Sequence, residues 1–236
     1  MHLNVFIAKS GYCARRKAGV LIKDGKVRVN GEIVREPWHE VGASDEIAIA
    51  GKKLSQEKKI YLIVNKPKGV TTTLNDIYAE KKISDIIPKR YGRLFPVGRL
   101  DKESRGLIIL TNDGDLCYKL THPKFGIEKE YRALVKGRVD GPALSKLRKG
   151  VWSEEEVLKV KSIMTLDVTD KKTSLIVVAT EGKKRHIRRL FEAAGFPVLD
   201  LMRVRIGKLS LDGSIRAGGF RTIGRDDIYR LTLDEA

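Results

Sequence analysis

Only two of the 236 residues are cysteine, four are histidine, and aromatic residues make up 6% of the chain. Cys13 and Cys117 stand far apart, so they provide neither a disulfide framework nor a paired-thiol zinc pattern. His2, His39, His122 and His186 are scattered and form no His-Glu-x-x-His arrangement. A Walker phosphate loop and a dinucleotide glycine fingerprint are both missing. No apolar run approaches the roughly 18 to 20 residues needed to span a bilayer. The N-terminus lacks the apolar core of a secretion signal, and no long basic amphipathic helix appears. The expectation is a cytoplasmic protein that uses no metal, no cofactor and no membrane.

Positive charge is what the chain does have. Lys and Arg number 47 against 30 Asp and Glu, a formal net charge of +17. Such a balance attracts a polyanion over long range and gains from counterion release, so nucleic acid is the expected partner. The hydrophobic content of 42% is ordinary for a globular chain, and the length suffices for one or two cores. The polar run Ser55-Gln56-Glu57-Lys58-Lys59 separates two stretches of different pattern, which places modules at 1–57 and 58–236. Residues 1–58 carry 11 basic and 7 acidic side chains and the remainder 36 and 23, so both parts are suited to a polyanion.

In the first module, Leu3, Phe6 and Ile7 recur at helical spacing and Gly11 ends the element. A second helix is predicted over Ala14–Lys23, with Ala18, Leu21 and Ile22 buried. Arg15, Arg16 and Lys17 occupy its first turn, where cations oppose the helix dipole. They are either a solvated basic face or groups retained for phosphate. Val27 and Val29 alternate as a strand, and Asn30-Gly31 is a hairpin turn signal. The order Ile7-Ala8-Lys9-Ser10-Gly11, Arg15-Arg16-Lys17-Ala18, Leu21-Ile22 and Gly25 to Gly31 resembles the S4 RNA-binding domain. Ala14 departs from it, because the family usually has Ser there, and forfeits a cap worth about 1 kcal/mol.

Strands are predicted in the second module at Tyr61–Val64, Leu107–Leu110, Tyr131–Val135, Val157–Met164 and Leu175–Ala179. Helices are predicted at Pro142–Lys149 and Arg185–Ala194. Several strands follow one another directly, so the expected class is α+β with a mixed, largely antiparallel sheet flanked by helices.

Three segments carry candidate chemistry. Asn65-Lys66-Pro67-Lys68-Gly69 turns the chain after a strand, and Lys66 and Lys68 could hold phosphate. Pro96-Val97-Gly98-Arg99-Leu100-Asp101 delivers a carboxylate among cations. In an extended loop Arg99 and Asp101 point to one side, so one side chain can meet a nucleotide while the other fills the gap it leaves. Glu181-Gly182-Lys183-Lys184-Arg185-His186-Ile187-Arg188-Arg189 runs a cationic segment into a helix. One inward arginine there would pair with a buried carboxylate. Tyr131 is either a core residue or a ring that stacks on a base.

These segments, with Leu110-Thr111-Asn112-Asp113-Gly114, Thr121-His122-Pro123 and Glu128-Lys129-Glu130-Tyr131, resemble the ribosomal RNA pseudouridine synthases. That family includes small-subunit enzyme A and large-subunit enzymes B, E and F. Arg185-His186, where some members have His-Gln, is more similar to the large-subunit, enzyme B-like group. The resemblance implies Asp101 as catalytic carboxylate, Tyr131 against the base, Arg188 paired with Asp101, and Arg99 holding the flipped uridine. Arg15, Arg16, Lys17, Lys66, Lys68, Lys183, Arg185 and Arg189 are the expected RNA-binding cations. The implied partners are ribosomal RNA and a ribosomal subunit or assembly intermediate, met by a monomer. A non-enzymatic assembly factor on the same scaffold, or a small-subunit synthase, is the alternative.

Overall fold

The computed structural model describes residues 1–74 and 78–233. It divides into two compact units, the first formed by 1–59 with 112–114 and the second by 60–111 with 115–236.

The first unit opens with helices α1 (Leu3–Lys9) and α2 (Arg15–Lys23). Strands β1 (Val27–Val29), β2 (Glu32–Ile33), β3 (Ile47–Ile49) and β4 (Lys52–Lys53) form an antiparallel sheet in the order β2-β1-β3-β4. Leu3, Ile7, Ala18, Ile22, Val27 and Ile47 fill the core, so the apolar periodicity of both helices is the face they bury. The β1–β2 turn has φ of 51° at Asn30 and 88° at Gly31, the left-handed pair that a two-residue hairpin requires. Ala14 sits at the α2 N-cap and makes no side-chain cap.

The second unit is built on a nine-stranded sheet. Its strands are β5 (Tyr61–Lys66), β6 (Phe95–Pro96), β7 (Arg105–Thr111), β8 (Lys129–Lys136), β11 (Ser162–Val168), β12 (Lys172–Ala179), β13 (Val198–Ile206), β14 (Leu209–Ser210) and β15 (Phe220–Thr222). A separate hairpin comprises β9 (Val151–Ser153) and β10 (Glu156–Leu158). The main path runs β11-β12-β8-β13-β7-β5-β15, with β14 on β13 and β6 on β7. Among the described strand pairs only β13–β7 is parallel, so the sheet is mixed and largely antiparallel. The helices are α3 (Gly114–Thr121), α4 (Gly141–Lys149), α5 (His186–Ala193) and α6 (Arg225–Leu233).

Strand β7 is buried on both faces, which explains its unbroken apolar run Leu107-Ile108-Ile109-Leu110. One face carries Leu107 and Ile109 against α3 and α6 residues such as Leu116 and Ile228, and the other carries Ile108 and Leu110 against Val70 and Ile83. A third core gathers Ala133, Val135, Leu175, Val177, Leu190 and Phe191.

The structure departs from the sequence reading at three places. The expected strand Val157–Met164 is two elements, because β10 turns back on β9 before the chain crosses to pair with β12. Helices α3 and α6 have no counterpart among the helices expected from sequence. The central strand β13 is the third, since Val198–Ile206 alternates Arg and Asp with apolar residues and carries no uniform apolar signature.

Candidate active site

Asp101 follows a short extended loop that enters β7, and three separate groups hold that loop. Thr72 Oγ1 donates to Leu100 O at 2.7 Å, and Leu100 N–H donates back to Thr72 Oγ1 at 3.2 Å. Lys66 Nζ donates to Ser104 O at 2.7 Å, Pro67 O at 3.0 Å and Lys102 O at 3.4 Å. Arg188 Nη2 donates to Glu103 O at 3.0 Å and approaches Ser104 Oγ at 3.5 Å, while Nη1 donates to Val198 O at 3.2 Å. Asp101 is thus flanked on both sides by backbone whose carbonyls are fixed from elsewhere in the fold.

Asp101 lines a cleft of about 420 Å³, with Thr72, Arg99, Tyr131, Arg185, His186 and Leu201 among its other walls. Sheet register sets Tyr131 of the cleft wall in a row of cross-strand partners. Val177, Tyr131, Arg203, Gly106 and Lys66 are successive partners across β12, β8, β13, β7 and β5. Directly opposed residues share a face, so Tyr131, Arg203 and Lys66 stand in one row. Gly106 leaves the gap between the two cations.

The row is electropositive and dry. Lys66 is 0% exposed, and burial pushes its ammonium down to about 8, against the pull of Asp101 and Glu103. Lys129, two residues before Tyr131 on the same strand face, is pushed down to about 8 by burial and by Arg203. Arg203 is 4% exposed and donates from Nε to Leu107 O at 2.7 Å. Its Nη2 is buried and meets no hydrogen-bond acceptor among the described residues. Arg188 is 8% exposed and lies below its ordinary pKa, first through burial and then through Arg185, while Asp101 opposes the shift. His186 is 5% exposed, and burial holds its imidazole below the usual value.

The structure sorts the residues named from sequence. Asp101, Tyr131, Arg99, Lys183 and Arg185 line one cleft, and Arg188 lies behind it. The expected Arg188–Asp101 ion pair is not formed among the described residues, because the guanidinium is spent on the carbonyls of Glu103 and Val198. Lys66 is corrected from phosphate ligand to internal clamp, since a fully buried ammonium cannot reach RNA. Arg189 is likewise engaged internally, with Glu154 at 3.0 Å, Glu156 at 3.1 Å and Ser153 O at 3.2 Å. Lys183 is exposed but paired with Glu156 at 2.8 Å and Glu181 at 3.0 Å, and Lys68 is exposed and 3.6 Å from Glu103. Arg15, Arg16 and Lys17 are exposed on α2. Thr72, Lys129, His186 and Arg203 were not singled out. Lys129 and His186 lie within the segments that carry the resemblance, whereas nothing local marks Thr72, or an arginine on an alternating strand, as buried.

The family model for RNA pseudouridylate synthases matches residues 60–193, and the S4 domain model matches residues 1–47. The chain belongs to the RNA pseudouridine synthase family. The synthase is 38% identical to the ribosomal large subunit pseudouridine synthase B of Bacillus subtilis, over 97% of this chain and 94% of that protein. It is 36% identical to an uncharacterized RNA pseudouridine synthase of Aquifex aeolicus, over 98% of this chain and 93% of that protein. A crystal structure of a pseudouridylate synthase superposes with a TM-score of 0.67 at 30% identity, covering 98% of this chain and all of the other. The synthase is therefore an enzyme with an S4 module, and its substrate class is RNA. No group of three or more His, Cys, Asp or Glu able to hold a metal occurs among the described residues. No described helix is long and apolar enough to cross a membrane.

Proposed function

We propose that this synthase converts specific uridines of ribosomal RNA, in the large subunit, to pseudouridine, with Asp101 as the catalytic carboxylate. The observation that carries the reading is the triple clamp on the Asp101 loop, which presents the Asp101 carboxylate in the cleft that Tyr131 also lines and fixes it through the buried cations Lys66 and Arg188. Such preorganisation suits a reaction in which charge develops on a sugar and a detached base. The name of the Bacillus subtilis relative supports the large-subunit assignment.

In the reaction the N1–C1′ bond breaks, the base turns, and a C5–C1′ bond forms. The proton lost from C5 is matched by one gained at N1, so no atoms enter or leave. Asp101 acts at the ribose or base as nucleophile or base. Tyr131 lies against the uracil ring. Arg99, exposed at the cleft wall, occupies the gap left by the flipped nucleotide. Arg188 and Lys66 are positioning residues, acting through the loop backbone. Arg185 and Lys68 meet phosphates. Residues 1–57 serve as the RNA-binding module and 58–236 as the catalytic one. The partner is a ribosomal subunit or an assembly intermediate in the cytoplasm. The synthase acts as a monomer.

The test is carbodiimide-adduct primer extension across all ribosomal RNA from a strain lacking the protein, complemented with wild type or Asp101→Asn. One large-subunit stop should vanish in the deletion, return with wild type and stay absent with the variant, while the variant still binds RNA. An unchanged stop pattern in every strain would sink the ribosomal RNA reading and favour an assembly role. A lost stop in small-subunit RNA would overturn the subunit assignment alone.

A further inference from the structure

The first unit carries a groove of about 640 Å³ that the catalytic reading leaves unused. Its walls include Arg15, Arg16, Val20 and Lys23 from α2, and Pro37 and Trp38 from the segment after β2. The lining holds three cations and no carboxylate. Trp38 is 65% exposed and Val20 is 57% exposed, so the groove joins an open indole and an aliphatic patch to a line of positive charge.

The indole is held in place by its backbone. Asn4 N–H donates to Pro37 O at 3.1 Å, and Leu3 N–H donates to His39 O at 2.8 Å. His2 Nδ1 lies 2.7 Å from Trp38 O, and His39 N–H donates to Glu36 O at 3.0 Å. Pro37 also packs over Gly19 of α2, where a Cβ would sit 4.0 Å from its own. A large apolar ring kept in water by a pinned loop loses hydration free energy and gains no packing. Stacking a base would recover that burial, and flanking cations would meet the adjoining phosphates.

We propose that the groove between α2 and Trp38 binds one unpaired RNA nucleobase stacked on the Trp38 indole, with neighbouring phosphates on Arg16 and Lys23. The proposal rests on the reading of this chain as an RNA-binding enzyme and adds a base-recognition site remote in sequence from Asp101. A duplex keeps its bases stacked on each other and cannot fill the site, so the groove selects single-stranded or bulged RNA.

The test uses the full chain with Trp152→Phe, which leaves Trp38 as the sole indole. Single-stranded oligouridylate and oligoadenylate should quench Trp38 fluorescence, and a duplex of equal length should not. Trp38→Ala should weaken single-strand binding by roughly 5- to 150-fold, with its salt slope unchanged and its melting temperature intact. Trp38→Phe should restore part of the loss. Arg16→Ala should instead lower the salt slope by roughly 1. If wild type binds the single strands while Trp38→Ala binds them equally well, or if the indole signal ignores RNA, the stacking site is wrong and the synthase reading stands. Weakened binding to ribosomal particles with unchanged binding to naked RNA would assign the indole to a protein partner and overturn the proposal. No RNA binding by wild type would overturn both.

Discussion

Three backbone carbonyls converge on the Lys66 ammonium, and removing it leaves them without that donor in a dry site. Lys66→Met should lower the unfolding free energy by about 3 kcal/mol or more, measured by urea denaturation. Its single-turnover rate should fall while RNA affinity holds. The pH dependence has a defined sign. Lys66 titrates near 8 in the folded chain and at its ordinary 10.5 when unfolded, so unfolding takes up a proton between those values. Wild type should therefore gain stability relative to Lys66→Met as pH rises from about 8 to 10.5, with a constant difference below about 8. A flat difference across that window would refute the buried charge. Gly106 makes a second residue-level case. Its φ is +102°, and a Cβ there would lie 2.2 Å from Arg203 O and 2.9 Å from Arg203 N. Gly106→Ala should cost about 3 kcal/mol or more and shift the row that joins Lys66 to Tyr131. Thermal unfolding and catalytic rate should both register it.

At the scale of elements, the two helices nearest the expected RNA contacts begin against their own electrostatics. α2 starts with Arg15-Arg16-Lys17 and an uncapped Ala14, and α5 follows Lys183-Lys184-Arg185 with Arg185 at φ 52°. Neither has an acidic residue in its first turn. Their stability comes from their buried faces, Ala18 and Ile22 in one and Ile187, Leu190 and Phe191 in the other. Ala14→Ser should supply the missing cap and stabilise the chain by about 1 kcal/mol. RNA affinity should stay unchanged, because the three cations that follow are untouched. A circular-dichroism melt of the variant checks the first statement and a filter-binding titration the second. The elements foreseen from sequence were those with one clean signal: apolar spacing in α1 and α2, the Asn30-Gly31 turn, the buried run of β7, and the Pro142-to-Gly150 frame of α4. β13 escaped because its neighbours bury Arg203 and Leu201 together, and no periodicity encodes that.

Over the whole molecule, a net charge of +17 makes association with RNA strongly dependent on salt. Six or so phosphate contacts to single-stranded RNA imply a loss of roughly 10²- to 10³-fold in affinity between 50 and 200 mM salt. The chemical step should respond far less, because the groups that fix Asp101 are buried and poorly screened. Single-turnover rates at saturating RNA should thus change little over the same range. A rate that falls in parallel with affinity would mean that the clamp opens to solvent and is screened.

The order of motifs, the two modules, the excess of positive charge and the loop that carries Asp101 were all readable from the chain, because each depends on neighbours a few residues apart. Tertiary structure decided which cations face RNA. Lys66, Lys68, Lys183, Arg185 and Arg189 look alike in sequence, yet Lys66 is fully buried, Lys183 and Arg189 are engaged by carboxylates of the β9–β10 hairpin, Lys68 lies 3.6 Å from Glu103, and Arg185 stands exposed at the cleft. Lys66 finds Ser104 across 38 residues and Arg188 finds Glu103 across 85. Burial and pairing over such separations follow from how strands are ordered in the sheet, and that order is a property of the packed molecule.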